Sequence, residues 1–162
     1  MNYYELYEIP VSPKVDLAIV SKKYFALQRS SHPDFHTNAT EDEKEAMLEL
    51  SAHINRAFLI FKDPQKTIEY FLEQKGQLLE NEKYTLSNDF LMEMMEFNEE
   101  LENKDIGTAE AEIVAYLDNL LKDIQGILIS NSAEITDVDL VKMKDYYYKK
   151  KYLQRILDRL HE

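Results

Sequence analysis

His32, Asp34 and His36 put two imidazoles and a carboxylate into one short stretch, with His53 further along. Two chemistries could use such a set. A histidine–carboxylate pair can move protons, given a pocket, an orienting partner and a place for substrate. The same side chains, joined by His53, could instead offer mixed nitrogen and oxygen ligands to a metal. Neither use is well supplied here, because no nucleophile motif and no second ligand cluster accompany them. Cysteine is absent, which removes thiolate ligands, a thiol nucleophile and a secreted disulfide scaffold. Gly76, Gly107 and Gly126 are too dispersed to write a phosphate-cradling loop. A ferritin-like metal core needs two Glu-x-x-His sites, whereas Glu49 and His53 are four apart and have no second copy.

A third use is a contact with another protein. Pro33 disfavours helical geometry at His32, so the amphipathic stretch from Asp16 to Ser31 should stop there. A polar loop carries Asp34, His36, Thr37 and Asn38, and a second amphipathic stretch begins at Thr40. His32-Pro33-Asp34 is then an exposed tip on a helical hairpin, a suitable place for recognition.

The hairpin is legible on both sides. Asp16 is a natural N-cap, and Leu17, Val20, Tyr24 and Leu27 repeat as one apolar face. Lys22, Lys23 and Arg29 fall away from that stripe and make the other side basic. Thr40 and Glu43 form a capping box, followed by the apolar positions Met47, Leu50, Ile54, Ala57, Phe58 and Phe61. Upstream, Tyr3 to Ile9 is a short aromatic helical opening closed by Pro10 and Pro13. Downstream, Asp63-Pro64 starts a helix with Ile68, Phe71 and Leu72, and Gly76 ends it.

Residues 76 to 86 form a polar connection between two units. A helix from about Ser87 to Lys104 has Phe90, Met94, Phe97 and Leu101 on one face. Leu91, Met92 and Met95 fall outside that stripe, and Glu96 and Glu99 continue their side. Such a second face suits an adaptable binding surface, methionine being flexible and polarisable. The chain should turn at Asp105-Ile106-Gly107, with Thr108 capping a helix striped by Ile113, Leu117, Leu120, Leu121 and Ile124. After a loop over 130 to 137, a last helix runs to Leu160, with Leu153, Ile156, Leu157 and Leu160 inward. Tyr146, Tyr147 and Tyr148 are consecutive and span most of a turn, so at least one should reach the surface. Three helices joined by short loops should pack as an antiparallel bundle.

The 162 residues carry 31 acids against 19 lysines and arginines, a net charge of −12. That balance disfavours nucleic acid and anionic membranes as partners. The charge is unevenly placed, with a basic island over residues 11 to 31 and an acidic region over residues 78 to 105. No apolar run is long enough to span a bilayer and no secretory leader is apparent, so a cytoplasmic protein is expected.

Tyr3-Tyr4-Glu5-Leu6, the basic helix, His32-Pro33-Asp34, Ile54-Asn55-Arg56-Ala57-Phe58 and Asp63-Pro64 together resemble a J domain. Phe90-Leu91-Met92-Glu93 through Glu99-Glu100-Leu101 resembles the second domain of HscB-type co-chaperones, the J proteins of iron–sulfur cluster biogenesis. The resemblance covers essentially the whole chain. It implies an all-α protein with a J domain over 1–75, a connection over 76–83 and a three-helix domain over 84–162. It implies docking on a DnaK/HscA-class ATPase chaperone through Lys22, Lys23, Arg29, His32, Pro33 and Asp34. It implies that Leu91, Met92, Met95, Glu96, Glu99 and Tyr146 bind an IscU-type scaffold protein. Catalytic residues, resident metal and cofactors are not expected. Phe35 stands where many J domains have lysine, and Asn103 where the scaffold face often carries another acid. The rivals are a general J protein with a different client and a metal-dependent enzyme using His32, Asp34 and His36.

Overall fold

A computed structural model describes all 162 residues, and they form seven α-helices and no strand. The helices are α1 (Tyr3–Tyr7), α2 (Leu17–Ser31), α3 (Glu41–Phe61), α4 (Pro64–Gln74), α5 (Asn88–Leu101), α6 (Ile106–Leu128) and α7 (Asp137–Leu160). They fall into two compact units, Met1–Gln74 and Lys75–Glu162.

Most helix starts follow local chemistry. Asp16 accepts the Ala18 amide at 2.9 Å, and Thr40 and Glu43 complete their capping box. Asp63 accepts the amides of Gln65 and Lys66. Gly76 takes a φ of +71°, the left-handed geometry that glycine adopts without a Cβ clash. One cap differs from expectation. Asp105, not Thr108, starts α6, accepting the Thr108 amide at 3.3 Å, so Ile106 and Gly107 lie inside the helix. An aspartate placed just before the first turn outcompetes a threonine three residues later, because it reaches the unpaired amides at the true end.

In the first unit, Tyr4, Leu6, Tyr7, Val20, Ile54, Ala57 and Phe61 form the core between α1, α2 and α3. Leu17 and Leu50, expected inside, are 48% and 41% exposed. Leu17 sits in the first turn of α2, at the edge of the α2–α3 contact. The Tyr4 hydroxyl donates to the Ser12 carbonyl at 2.7 Å and that of Tyr7 to the Ile54 carbonyl at 2.8 Å. Burial pushes both phenols well above their ordinary range, so the rings enter the core as neutral donors.

In the second unit, Phe90, Met94, Ile113, Leu153 and Ile156 make the core where α5 meets α6 and α7. The stretch before α5 packs against α7 as well. Glu82 accepts from Lys144 at 2.5 Å and from the Tyr148 hydroxyl at 2.7 Å. The Tyr84 hydroxyl donates to Asp145 at 3.0 Å. Residues 82 to 84 are thereby fixed to the last helix.

Candidate functional site

The tip of the hairpin is built by local bonds. His32 leaves helical geometry at φ −80° and ψ 133°, and Pro33–Phe35 follow as one 3₁₀ turn. His32 Nδ1 accepts the Asp34 amide at 3.2 Å, which holds the turn. His36 Nε2 donates to the Ser30 carbonyl at 2.9 Å, tying the turn back to α2. The Asp34 carboxylate points outward, its side chain 84% exposed, with one oxygen 3.5 Å from His32 Nδ1. It meets no lysine or arginine of its own chain. His36 is occupied by Ser30, and no three histidine or acidic side chains converge on a metal-sized site anywhere.

A polar ladder holds the two arms of the hairpin in register. Gln28 Nε2 donates to the Ser51 carbonyl at 3.1 Å and to Asn55 Oδ1 at 2.9 Å. Ser51 Oγ donates to Gln28 Oε1, and the Tyr24 hydroxyl donates to Asn55 Oδ1. The Tyr24 ring stacks on Phe58 with centroids 4.3 Å apart. Sequence periodicity pointed to the apolar members of this seam and missed Gln28 and Ser51, which look like surface residues until they are paired.

The basic residues of α2 divide. At about 100° per residue, Lys22 and Arg29 fall within a narrow solvent-facing sector opposite Val20. Both are exposed. Lys23 lies on a different flank and donates to the Glu8 carbonyl at 2.8 Å. Glu8 ends α1 in left-handed geometry at φ 52°, so the Lys23 ammonium closes that terminus. No acid occurs between Leu17 and Ser31.

The second surface lies on α5. Phe90 and Met94 are buried, while Met92 and Met95 are each 62% exposed on the opposite side. Leu91 is half-buried at the border, and Glu96 and Glu99 are exposed beside the methionines. The acids of α5 have different duties. Glu93 accepts the Tyr116 hydroxyl at 3.0 Å, and Glu100 pairs with Lys104 at 3.5 Å, whereas Glu96 and Glu99 form no ion pair. Tyr146 is placed differently from the other expected members. It is 5% exposed on the inward face of α7 and lines a cavity of about 340 Å³ with Leu120, Ile124 and Tyr84. Tyr147 and Tyr148 are half-buried, and Tyr148 is stacked on Tyr84.

Three comparisons relate the chain to known proteins. A family model described as the HSCB C-terminal oligomerisation domain matches residues 86–161. A co-chaperone protein HscB homolog of Shewanella baltica (strain OS195) is 32% identical, over 99% of this chain and 95% of its own. The chain belongs to the HscB co-chaperone family. Chaperone HscB from Vibrio cholerae superposes with a TM-score of 0.69 at 27% identity, covering 99% of this chain and 96% of the other. Human co-chaperone protein HscB gives a TM-score of 0.76 at 25% identity, covering 99% and 81%. As in those HscB structures, an N-terminal J domain precedes a helical C-terminal domain. The polar hairpin therefore belongs to the J domain, and α5 to α7 form the HscB C-terminal domain. No helix is long and apolar enough to cross a membrane.

Proposed function

We propose that this chain is a co-chaperone that brings an IscU-type iron–sulfur scaffold protein to a DnaK/HscA-class ATPase and stimulates ATP hydrolysis there. The J domain, residues 1–75, is assigned to the ATPase. Residues 84–162 are assigned to the scaffold. The observation that carries the first assignment is Asp34: an 84% exposed carboxylate without a lysine or arginine partner, just past the end of a helix that has no acids. Lys22 and Arg29 steer this end toward an acidic surface, and Asp34 meets a basic group on it. His32 and Pro33 fix the turn that presents the carboxylate. Hydrolysis occurs in the partner's active site, and the chain performs no reaction of its own. A cytoplasmic setting is compatible with the ATP that the partner consumes.

The second assignment rests on Met92, Met95, Glu96 and Glu99, which α5 turns away from its core. They present flexible apolar side chains beside free carboxylates, a surface that fits a partner with an apolar patch and basic rim. Leu91 borders this face, whereas Tyr146 lies inward on α7 and would support the domain behind it. The cluster stays on the scaffold, consistent with a chain that has no cysteine to bind it.

The test is single-turnover ATP hydrolysis by a DnaK/HscA-class chaperone with the full chain added. Wild type should accelerate it, and Asp34→Asn should abolish the acceleration with helicity unchanged. Full acceleration by Asp34→Asn would overturn the mechanism.

A further inference from the structure

The solvent face of α2 is not only basic. Phe25 is 66% exposed and falls between Lys22 and Arg29, within about 60° of both around the helix. Phe35, the residue after Asp34, is 63% exposed, and its ring meets the His32 imidazole edge-on at 6.3 Å. Neither ring is needed inside. The α2–α3 seam is filled by Tyr24 and Phe58, and Tyr24 supports Phe25 from below in a T-shaped contact at 5.4 Å. A phenylalanine left in water forgoes the free energy of burying its ring. One lies among Lys22 and Arg29 and the other directly follows Asp34, so the residues assigned to the contact are mixed apolar and charged. Purely electrostatic docking would need neither ring.

We propose that Phe25 and Phe35 are apolar anchors of the chaperone contact, which deepens the co-chaperone reading and rests on it. The occupant is the ATPase chaperone, through an acidic surface that carries an apolar recess. The acid-free helix selects the negative surface by charge complementarity, and the two rings select the recess within it. Recognition then has two separable parts. Charge sets the rate of encounter and its dependence on salt. Ring burial sets the dwell time and is insensitive to salt.

The experiment measures, over a range of salt, the affinity of the full chain for a DnaK/HscA-class ATPase and its stimulation of hydrolysis. Phe25→Gln and Phe35→Gln should each bind about tenfold more weakly at every salt concentration, with an unchanged salt slope. Stimulation at saturation should stay near wild type, because Asp34 is intact, while the half-saturating concentration rises. Phe25→Leu should recover most of the loss. Val138→Gln, which removes an equally exposed apolar side chain from α7 (64%), should change nothing. Wild-type affinity and half-saturation in both phenylalanine variants would overturn the inference while leaving the co-chaperone reading intact. Absence of stimulation by wild type would instead overturn that reading, and this inference with it.

Discussion

Tyr84 and Tyr148 lie face to face, with ring centroids 4.3 Å apart and planes 8° from parallel. Between and around them, Glu82 accepts from Lys144 and Tyr148, and Asp145 accepts from Tyr84. The stretch before α5 is therefore held to α7 by rings and charges together.

That attachment should respond to acid. The bond from Lys144, and next that from Tyr148, holds the Glu82 carboxyl below its ordinary value. A depressed folded pKa gives stability that is present above the unfolded value, about 4.3, and lost as pH falls through the folded one. Hydrogen exchange of residues 80–86 should accelerate across that acid window in wild type. Glu82→Gln should show fast exchange already at neutral pH and little further change.

Base should act on the phenols. Burial, followed by the bond to Asp145, pushes Tyr84 up to about 12. Burial raises Tyr148 and Tyr116 further, aided by Glu82 and Glu93 respectively. A raised folded value gives stability that is full below about 10 and lost as pH climbs above it. Ultraviolet titration should show a group of the eleven tyrosines ionising only together with loss of helicity.

Lys22 and Lys23 should behave differently despite being adjacent. Lys22→Ala should slow association with the ATPase and flatten its salt dependence. Lys23→Ala removes the donor that closes α1 at Glu8, so it should cost about 0.5 kcal/mol of stability. Stopped-flow association and thermal unfolding of both variants separate the two effects.

Gln28 should matter more than its polarity implies. Gln28→Ala takes the acceptor from the buried Ser51 hydroxyl and a donor from the Ser51 carbonyl, while Asn55 Oδ1 keeps the Tyr24 hydroxyl, at a cost of about 1–3 kcal/mol. Thermal unfolding should shift downward, and α2 and α3 amides should exchange faster than those of α6.

On α5, Leu91→Ala/Met92→Ala/Met95→Ala should weaken binding of an IscU-type scaffold by roughly 100-fold in calorimetric titration. Because Met92 and Met95 are exposed, helicity should be preserved. Glu96→Lys/Glu99→Lys should also weaken binding, and most strongly at low salt.

What could be read from the sequence was whatever is encoded locally. Asp16, the Thr40–Glu43 box, Asp63-Pro64 and Gly76 act within a turn of their own positions, so α2, α3 and α4 were legible. The two faces of α5 were legible from spacing alone. Three kinds of feature were not. Asp105 and Thr108 both have capping side chains, and only the real helix end decides between them. Gln28–Ser51 and Glu82–Lys144 pair across the fold, where no periodicity signals them. Phe25 reads as one more apolar residue near a stripe, and only its 66% exposure places it with Lys22 and Arg29. Tyr146 shows the converse, an aromatic assigned to a contact face and found 5% exposed.

The core of the second unit joins Phe90 and Met94 of α5 to Leu153 and Ile156 of α7. A chain leaves the ribosome from its N-terminus, and a domain can close only when its last partner has emerged. The J domain has all its core residues by Leu72 and is free to fold during synthesis. The helix that carries Met92 and Met95 must wait for α7 to complete its core, with only α6 to pack against until translation is nearly done. A nascent chain stalled before Asp137 would therefore pair a finished J domain with an open, methionine-rich hairpin, itself resembling the clients that chaperones receive.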